Sequence, residues 1–578
     1  MNDYDVAVVG LGPTGLTLAH LLGRRGLSVL VLEREPHFYG NARAVYTDDE
    51  ALRVFQTAGV ADEIHKDMNV DSAVQWVTSD GEVLVQFRQP QRPLWWPVTN
   101  FFYQPYLETK LGDTLIRYPN VEVRRGREVI EFDQDADGVT VVHAAATGSG
   151  YGKQDNVIDD ATRETVRASY LVGADGGRSV IRTGLGIDMS GKSFPERWLV
   201  VDLAAKEGTD PFRHLPYFDF VCDPDMPTVS CPQPGGHHRF EFNLADDDKK
   251  DEFESDATVQ RLIGQYVDVD EVTVERRLVY TFNAVVADRW REGRILLAGD
   301  AAHMTPQFIG QGMNAGVRDA GVRDADNLSW KLQAVLQYGA DPAILDTYES
   351  ERRHHAKAMI ELSVFNKSLV SVQSRALARS RDIALRTAIH VPALGAWVRR
   401  AGMKPKPRFR RGEYLGLDRK PVRGIEGALP PQPVVRRYDG HRVRLDDALG
   451  IGWAVIGFET DPREALGAEA AVWERLGATF ATIYRSGARP QGRIGDGRRK
   501  AGLLDLEDTD GLLTSWLRRA GHRPGTVVVL RPDKYVFGAS RDAADLTREL
   551  VRQVAPSGAD VRTATRTDAT PTETGRPA

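Results

Sequence analysis

Cysteine is almost absent from this chain of 578 residues: Cys222 and Cys231 are the only two. That excludes a disulfide-stapled secreted module. The separation of the pair fits no metal-site spacing, so no metal centre is expected. Both read as buried or incidental thiols of a cytoplasmic protein. Long apolar runs are missing too. Nothing approaches the ~18 consecutive apolar residues of a membrane span, and the start Met1-Asn2-Asp3-Tyr4-Asp5 lacks the basic-then-apolar order of a secretory signal. No membrane association is expected. Nor is there an excess of positive charge. Lys+Arg number 75 against 81 Asp+Glu, a net charge of −6, which speaks against nucleic acid as a partner. With 42% hydrophobic and 27% charged residues, the composition is that of an ordinary globular protein with room for roughly two to four domains.

Against these absences stand three short fragments. Gly10-Leu11-Gly12-Pro13-Thr14-Gly15 lies between the apolar run Tyr4–Val9 and the helical spacing of Leu16, Leu18, Ala19, Leu21 and Leu22; a second apolar run, Ser28–Glu33, follows. Strand, glycine turn, helix and strand form the βαβ context that makes such a loop a dinucleotide site. Gly10 permits the turn, Gly12 lets backbone approach a pyrophosphate, and Gly15 lets helix and strand pack closely. The helix start offers free N–H groups to the anion. Glu33, followed by Arg34, is placed to accept from ribose hydroxyls and to repel a 2′-phosphate. The second fragment is Asp175-Gly176. The third is Gly299-Asp300-Ala301-Ala302-His303 after the apolar run Arg294–Ala298. An Asp there suits a ribityl hydroxyl. Pro306 and the loop Gly310-Gln311-Gly312-Met313-Asn314 then open a helix whose N–H groups suit negative charge on a flavin edge. A chain binding NAD in its only Rossmann unit has no need of this second element. FAD is therefore expected. No further Gly-x-Gly-x-x-Gly opens another βαβ unit, so a nicotinamide reductant has to bind transiently.

The remaining pattern divides the chain. Residues 71–110 and 190–285 alternate apolar and polar positions, as a largely antiparallel substrate layer does. Residues 1–400 then form one discontinuous FAD-binding and substrate domain. The basic, proline-containing stretch 403–412 reads as a domain edge. Residues 413–555 follow as a separate α/β unit, and 556–578 lack periodicity and are expected to be disordered.

The three ordered fragments resemble those of the class A flavoprotein aromatic hydroxylases. Within that family the likeness is greatest to hydroxylases of 3-(3-hydroxyphenyl)propionate and 3-hydroxycinnamate. It runs through Ala42-Arg43-Ala44, Asp48–Arg53, Phe102–Pro105, Cys222-Asp223-Pro224, Arg239–Phe242, Asp346–Arg353 and Arg531–Val536. The resemblance implies a Rossmann-like α/β FAD-binding domain, an antiparallel substrate layer and a thioredoxin-like C-terminal domain. That last domain is structural, since no Cys-x-x-Cys lies in it. The resemblance also implies non-covalent FAD, NADH and O2 as co-substrates, a small phenolic acid as substrate, and oxygen insertion ortho to the phenol hydroxyl. Arg43, Gln104 and Asp175 match flavin-contacting positions. A homodimer is compatible with the sequence, which does not fix the oligomeric state.

A base for the phenol proton is not fixed by the sequence. Asp48, Tyr217 and His303 are the candidates; Asp48 equally suits a helix cap, and His303 a structural histidine. Arg239, on an alternating strand, is the candidate cation for the substrate carboxylate. One departure from the family pattern is a perfect tandem repeat, Gly-Val-Arg-Asp-Ala, over residues 316–325. Five extra helical residues turn a helix face by about 140° beyond one full turn. Either one copy loops out or the helix is lengthened beside the flavin. Three other functions share these motifs: a hydroxylase of aromatic polyketides or other substituted phenols, a flavin reductase that does not oxygenate, and a non-catalytic dinucleotide-binding regulator.

Overall fold

The structure, a computed structural model, describes residues 3–38, 40, 44–146, 157–244, 253–305, 318–400, 402–412, 424–490, 502–542, 545–548 and 550. The tail 556–578, Arg43, Pro306 and the loop residues Gly310, Gly312, Met313 and Asn314 lie outside the described residues.

Strand β1 (Tyr4–Val9), helix α1 (Pro13–Arg24) and strand β2 (Val29–Glu33) form the expected βαβ unit. Both strands are valine- and leucine-rich and buried on both faces, as parallel strands covered by helices are. Helix α2 (Asp49–Ala58) follows, started by the Asp48 side chain accepting from the Ala51 N–H. Strand β1 pairs in parallel with β2 on one side and with β3 (Ile158–Gly173) on the other. Strand β4 (Ile295–Leu297) adds beyond β3, again in parallel, and Val121–Arg125 beyond β2. This sheet therefore brings the C-terminal ends of β1, β3 and β4 side by side. Those ends are the three sequence fragments, so β-sheet register is what assembles them.

A second, eight-stranded sheet holds Met189–Ala205, Phe218–Val221, Thr228–Gln233, His237–Asn243 and Val272–Ala287. Its pairings are antiparallel except where Phe218–Val221 meets Val74–Val77. One face packs Trp76, Trp198, Phe218 and Phe220 into a core shared with Tyr46, Phe101 and Met359. Both cysteines are buried in this core.

Two long helices join the layers: α3 (Arg318–Tyr338) and α4 (Asp346–Val370). Helix α4 ends at Val370, and the Ser374 side chain caps a new helix, Arg375–His390. Helices Pro462–Leu466 and Ala470–Arg475 are separated at Gly467, whose φ of +56° is left-handed.

Residues 434–540 build a third sheet of seven strands. Ala454–Phe458, Thr479–Arg485 and Leu503–Asp508 are parallel, and Val527–Leu530 and Val536–Ser540 continue antiparallel, an arrangement of the thioredoxin-like kind. This unit docks on the helices of the FAD-binding layer through buried polar contacts. Arg53 of α2 makes two hydrogen bonds to Asp446, at 2.6 and 2.9 Å, and Arg25 donates to the Ile451 carbonyl at 3.0 Å. No helix among the described residues is long and apolar enough to cross a membrane.

Candidate active site

The ends of β1, β3 and β4 line a cleft that is open to solvent. Gly10, Leu11, Gly12, Pro13, Thr14, Glu33, Arg34, Gln104, Asp175 and Asp300 all line it.

The glycines have distinct duties. Gly10 has φ +101°, and a Cβ there would stand 2.5 Å from the Ala174 carbonyl oxygen. The first fragment thus rests directly on the second. Gly15 would place a Cβ 2.0 Å from the Gly10 carbonyl oxygen, whereas at Gly12 nothing lies within 4 Å. Gly12 therefore faces free space at the start of α1, where a phosphate would meet unpaired backbone N–H groups. Glu33 accepts from the Leu11 N–H at 2.7 Å and from the Glu35 N–H at 2.9 Å, so its carboxylate steadies the glycine loop from inside the cleft. Gln104 accepts from the Ala44 N–H at 3.0 Å and donates to Glu108. One carboxyl oxygen of Asp175 accepts from the Ile181 N–H at 3.2 Å; the other is buried without a partner. Burial raises its pKa, against the Ser179 and backbone hydrogen bonds that lower it. An orphaned buried oxygen beside an open phosphate cradle is what a bound hydroxyl-bearing cofactor would satisfy. The residues present fit FAD.

The sequence does not reveal how the third fragment is held. Asp324 of α3 accepts from His303 Nε2 at 2.7 Å, from the Gly299 N–H at 3.1 Å and from Arg352 Nε at 2.8 Å. His303 also stacks on Trp290, with ring centroids 5.0 Å apart. Asp324 belongs to the second copy of the tandem repeat. So does Gly321, where a Cβ would lie 2.2 Å from Thr14 Oγ1 and 3.1 Å from the Gly299 Cα. Arg323 meets Asp48 and Glu50. The second copy is therefore the one built into the flavin corner. Of the first copy, the described part enters the helix from Arg318.

The other candidates are placed as follows. Asp48 caps α2 and is paired with Arg323 at 2.5 Å and Lys404 at 2.8 Å. Burial would raise its pKa, but the two cations outweigh that and hold the carboxyl below the usual carboxylate range. Asp48, Asp49 and Glu50 stand close enough to share an ion, and Lys404 reaches all three. Tyr217 is 39% exposed, away from the cleft lining. Arg239 is buried in the substrate sheet with Asp202 across two hydrogen bonds, at 2.6 and 3.1 Å, and Glu241 at 3.9 Å. Burial lifts Glu241 to about 7, moderated by Arg239. A charged row thus crosses a sheet whose neighbouring positions are aromatic. His355 of α4, unremarked in the sequence, is buried with both ring nitrogens unpartnered. Burial, then Arg352, Arg323 and Lys404, keep it neutral.

Comparison with known proteins agrees with this geometry. A family model described as FAD binding domain matches residues 3–363, and one described as HcaD C-terminal domain matches 427–553. A 3-(3-hydroxy-phenyl)propionate/3-hydroxycinnamic acid hydroxylase of Burkholderia vietnamiensis strain G4 is 38% identical over 94% of this chain and 95% of its own length. One of Mycobacterium sp. strain JLS is 37% identical over 93% and 89%. Among solved structures, aklavinone-11 hydroxylase with FAD and aklavinone superposes with a TM-score of 0.75 at 24% identity, over 96% of this chain and 100% of its own. The p-nitrophenol 4-monooxygenase of Pseudomonas putida does so with a TM-score of 0.61 at 25% identity, over 70% and 98%.

Proposed function

Because this chain belongs to the FAD-dependent aromatic hydroxylase family, as a flavin-dependent monooxygenase, we propose that it hydroxylates 3-(3-hydroxyphenyl)propionate, and 3-hydroxycinnamate with it. The product is the 2,3-dihydroxy compound, with NADH as transient reductant and O2 as oxygen donor. The observation that carries this reading is the cleft in which all three fragments converge, in a chain related over nearly its whole length to enzymes bearing that name.

FAD, when bound, supplies the electron storage and oxygen activation that no side chain can. The chain's own residues do the rest. Gly10–Gly15 and the start of α1 hold the pyrophosphate, Glu33 a ribose, and Asp300 with Asp175 the sugar alcohol. Tyr46, Phe101, Trp198 and Phe218 form a buried aromatic core against one face of the substrate sheet. The row Asp202–Arg239–Glu241 supplies charge on the same sheet.

The test is NADH oxidation by the FAD-loaded chain, with product identified by mass spectrometry. 3-(3-hydroxyphenyl)propionate should stimulate oxidation and yield a catechol, and NADH should outperform NADPH. Stimulation by a polycyclic phenol alone, or oxidation without a catechol, would overturn the assignment.

A further inference from the structure

The turn Arg531–Tyr535 belongs to the C-terminal domain but sends its charges into the FAD-binding layer. Arg531 donates to both oxygens of Glu351 on α4, at 2.6 and 2.9 Å, and to Asp533 at 3.0 Å. Glu351 also accepts from Lys331 at 2.8 Å and Asn327 at 2.6 Å, both on α3. Asp533 accepts from Asn327 and from Trp330 Nε1, each at 3.1 Å. Every one of these side chains is buried.

A buried ionic array is a poor source of stability, because desolvation cancels most of its attraction. What it supplies is fixed geometry: a guanidinium and a carboxylate meeting through two parallel bonds allow one relative placement. Here that placement is passed on. Glu351 is followed on α4 by Arg352, whose guanidinium meets Asp324 at 2.8 Å and the Ala320 carbonyl at 3.1 Å. Asp324 holds His303 and the Gly299 N–H, next to Asp300 in the cleft. Contacts are thus continuous from Asp533 to the flavin corner, while no described residue beyond Asp300 lines the cleft.

We infer that the Arg531–Tyr535 turn is a positioning element for the Gly299-Asp300 corner, so that the C-terminal domain sets the affinity for FAD without touching it. The inference rests on reading the cleft as the FAD site.

The experiment titrates the deflavinated full-length chain with FAD, followed by fluorescence, with circular dichroism as the check on folding. Asp533→Asn keeps the shape of the turn and removes its charge. Its FAD Kd should rise about fivefold to tenfold, the size of coupling that packed polar networks carry. Asp324→Asn should raise Kd as well. The double variant should be no worse than the weaker-binding single, since both act on one path. A turn that merely stabilised its own domain would lower the unfolding midpoint and leave Kd alone. A folded Asp533→Asn with the parental Kd overturns the inference, as does a double variant whose losses multiply. If Asp533→Asn does not fold, Trp330→Phe removes a single donor to Asp533. A Kd raised about threefold would then support the path, and an unchanged Kd would overturn it. A parent chain that binds no FAD would fell the cofactor reading itself, a different result from a variant that binds as the parent does.

Discussion

Removing one copy of the tandem repeat is the sharpest test of how the flavin corner is built. Deleting residues 316–320 or 321–325 gives the same chain, since the copies are identical. Either way Gly-Val-Arg-Asp-Ala still precedes Asp326. The register of α3 is fixed from its other side, where Asn327 and Lys331 are bonded to Glu351. The glycine that packs on Thr14 and Gly299, the arginine that meets Asp48 and the aspartate that meets His303 and Arg352 are all therefore retained. FAD affinity is expected within about twofold of the parent and the unfolding free energy from urea within ~0.5 kcal/mol, as for changes that leave the buried side-chain contacts in place. Asp324→Ala is the contrasting variant. It strips the acceptor from a buried guanidinium, a histidine and a backbone N–H at once. Breaking one side of a buried pair costs about 3–5 kcal/mol, roughly a hundredfold to several thousandfold if all of it appears in FAD binding. Fluorescence titration with FAD and urea unfolding, run on the deletion, Asp324→Ala and the parent, give the comparison. A deletion variant as damaged as Asp324→Ala would refute the reasoning, because it would mean that the first copy holds the corner.

Gly10→Ala forces a side chain onto a left-handed backbone 2.5 Å from the Ala174 carbonyl oxygen; the protein should purify without flavin, and a parental flavin absorbance would contradict this. Glu33→Ala removes the acceptor of the Leu11 N–H. Losing a charged hydrogen bond of about 1.5–3 kcal/mol should weaken FAD roughly tenfold or more in equilibrium dialysis, and unchanged binding would show that Glu33 is idle. Asp219 is lifted by burial to about 6. Its folded pKa stands above the unfolded value, so the folded state holds the proton more tightly. Its contribution is present below pH ~4 and is lost as pH rises through ~6. Asp219→Asn should therefore be more stable than the parent at pH 8, by up to about 3 kcal/mol, with the gap closing near pH 4; urea midpoints across that range check the sign.

The cofactor half of the site was legible because its signals are local. Gly10, Gly12 and Gly15 sit in one turn, and Asp175 and Asp300 each end an apolar run that had to be a strand. The holding of His303 was not legible. It depends on Asp324, a residue of a helix reached through another layer, and one-dimensional spacing says nothing about which of two identical copies faces inward. Arg239 was read as a cation for the substrate; its bonds to Asp202 come from strand pairing across the sheet, which alternation alone does not register. The Ser374 cap and the Gly467 break set helix ends that periodicity does not mark, both being single-residue events inside longer periodic stretches. The interdomain ions were invisible for the same reason as Asp324: Glu351 and Arg531 are ordinary surface-type residues until two domains close over them.

The buried cysteines have a bearing on the chemistry of a working lifetime. An enzyme that brings reduced flavin to O2 sheds hydrogen peroxide whenever turnover and hydroxylation part company, and peroxide attacks thiolates first. Cys222 is pushed up to about 12 by burial, and Cys231 is raised well above the ordinary thiol range by burial and then by Glu241. Both stay protonated and out of reach of solvent. Such peroxide would find almost no sulfur nucleophile on this chain, and the scarcity of cysteine leaves little thiol to oxidise.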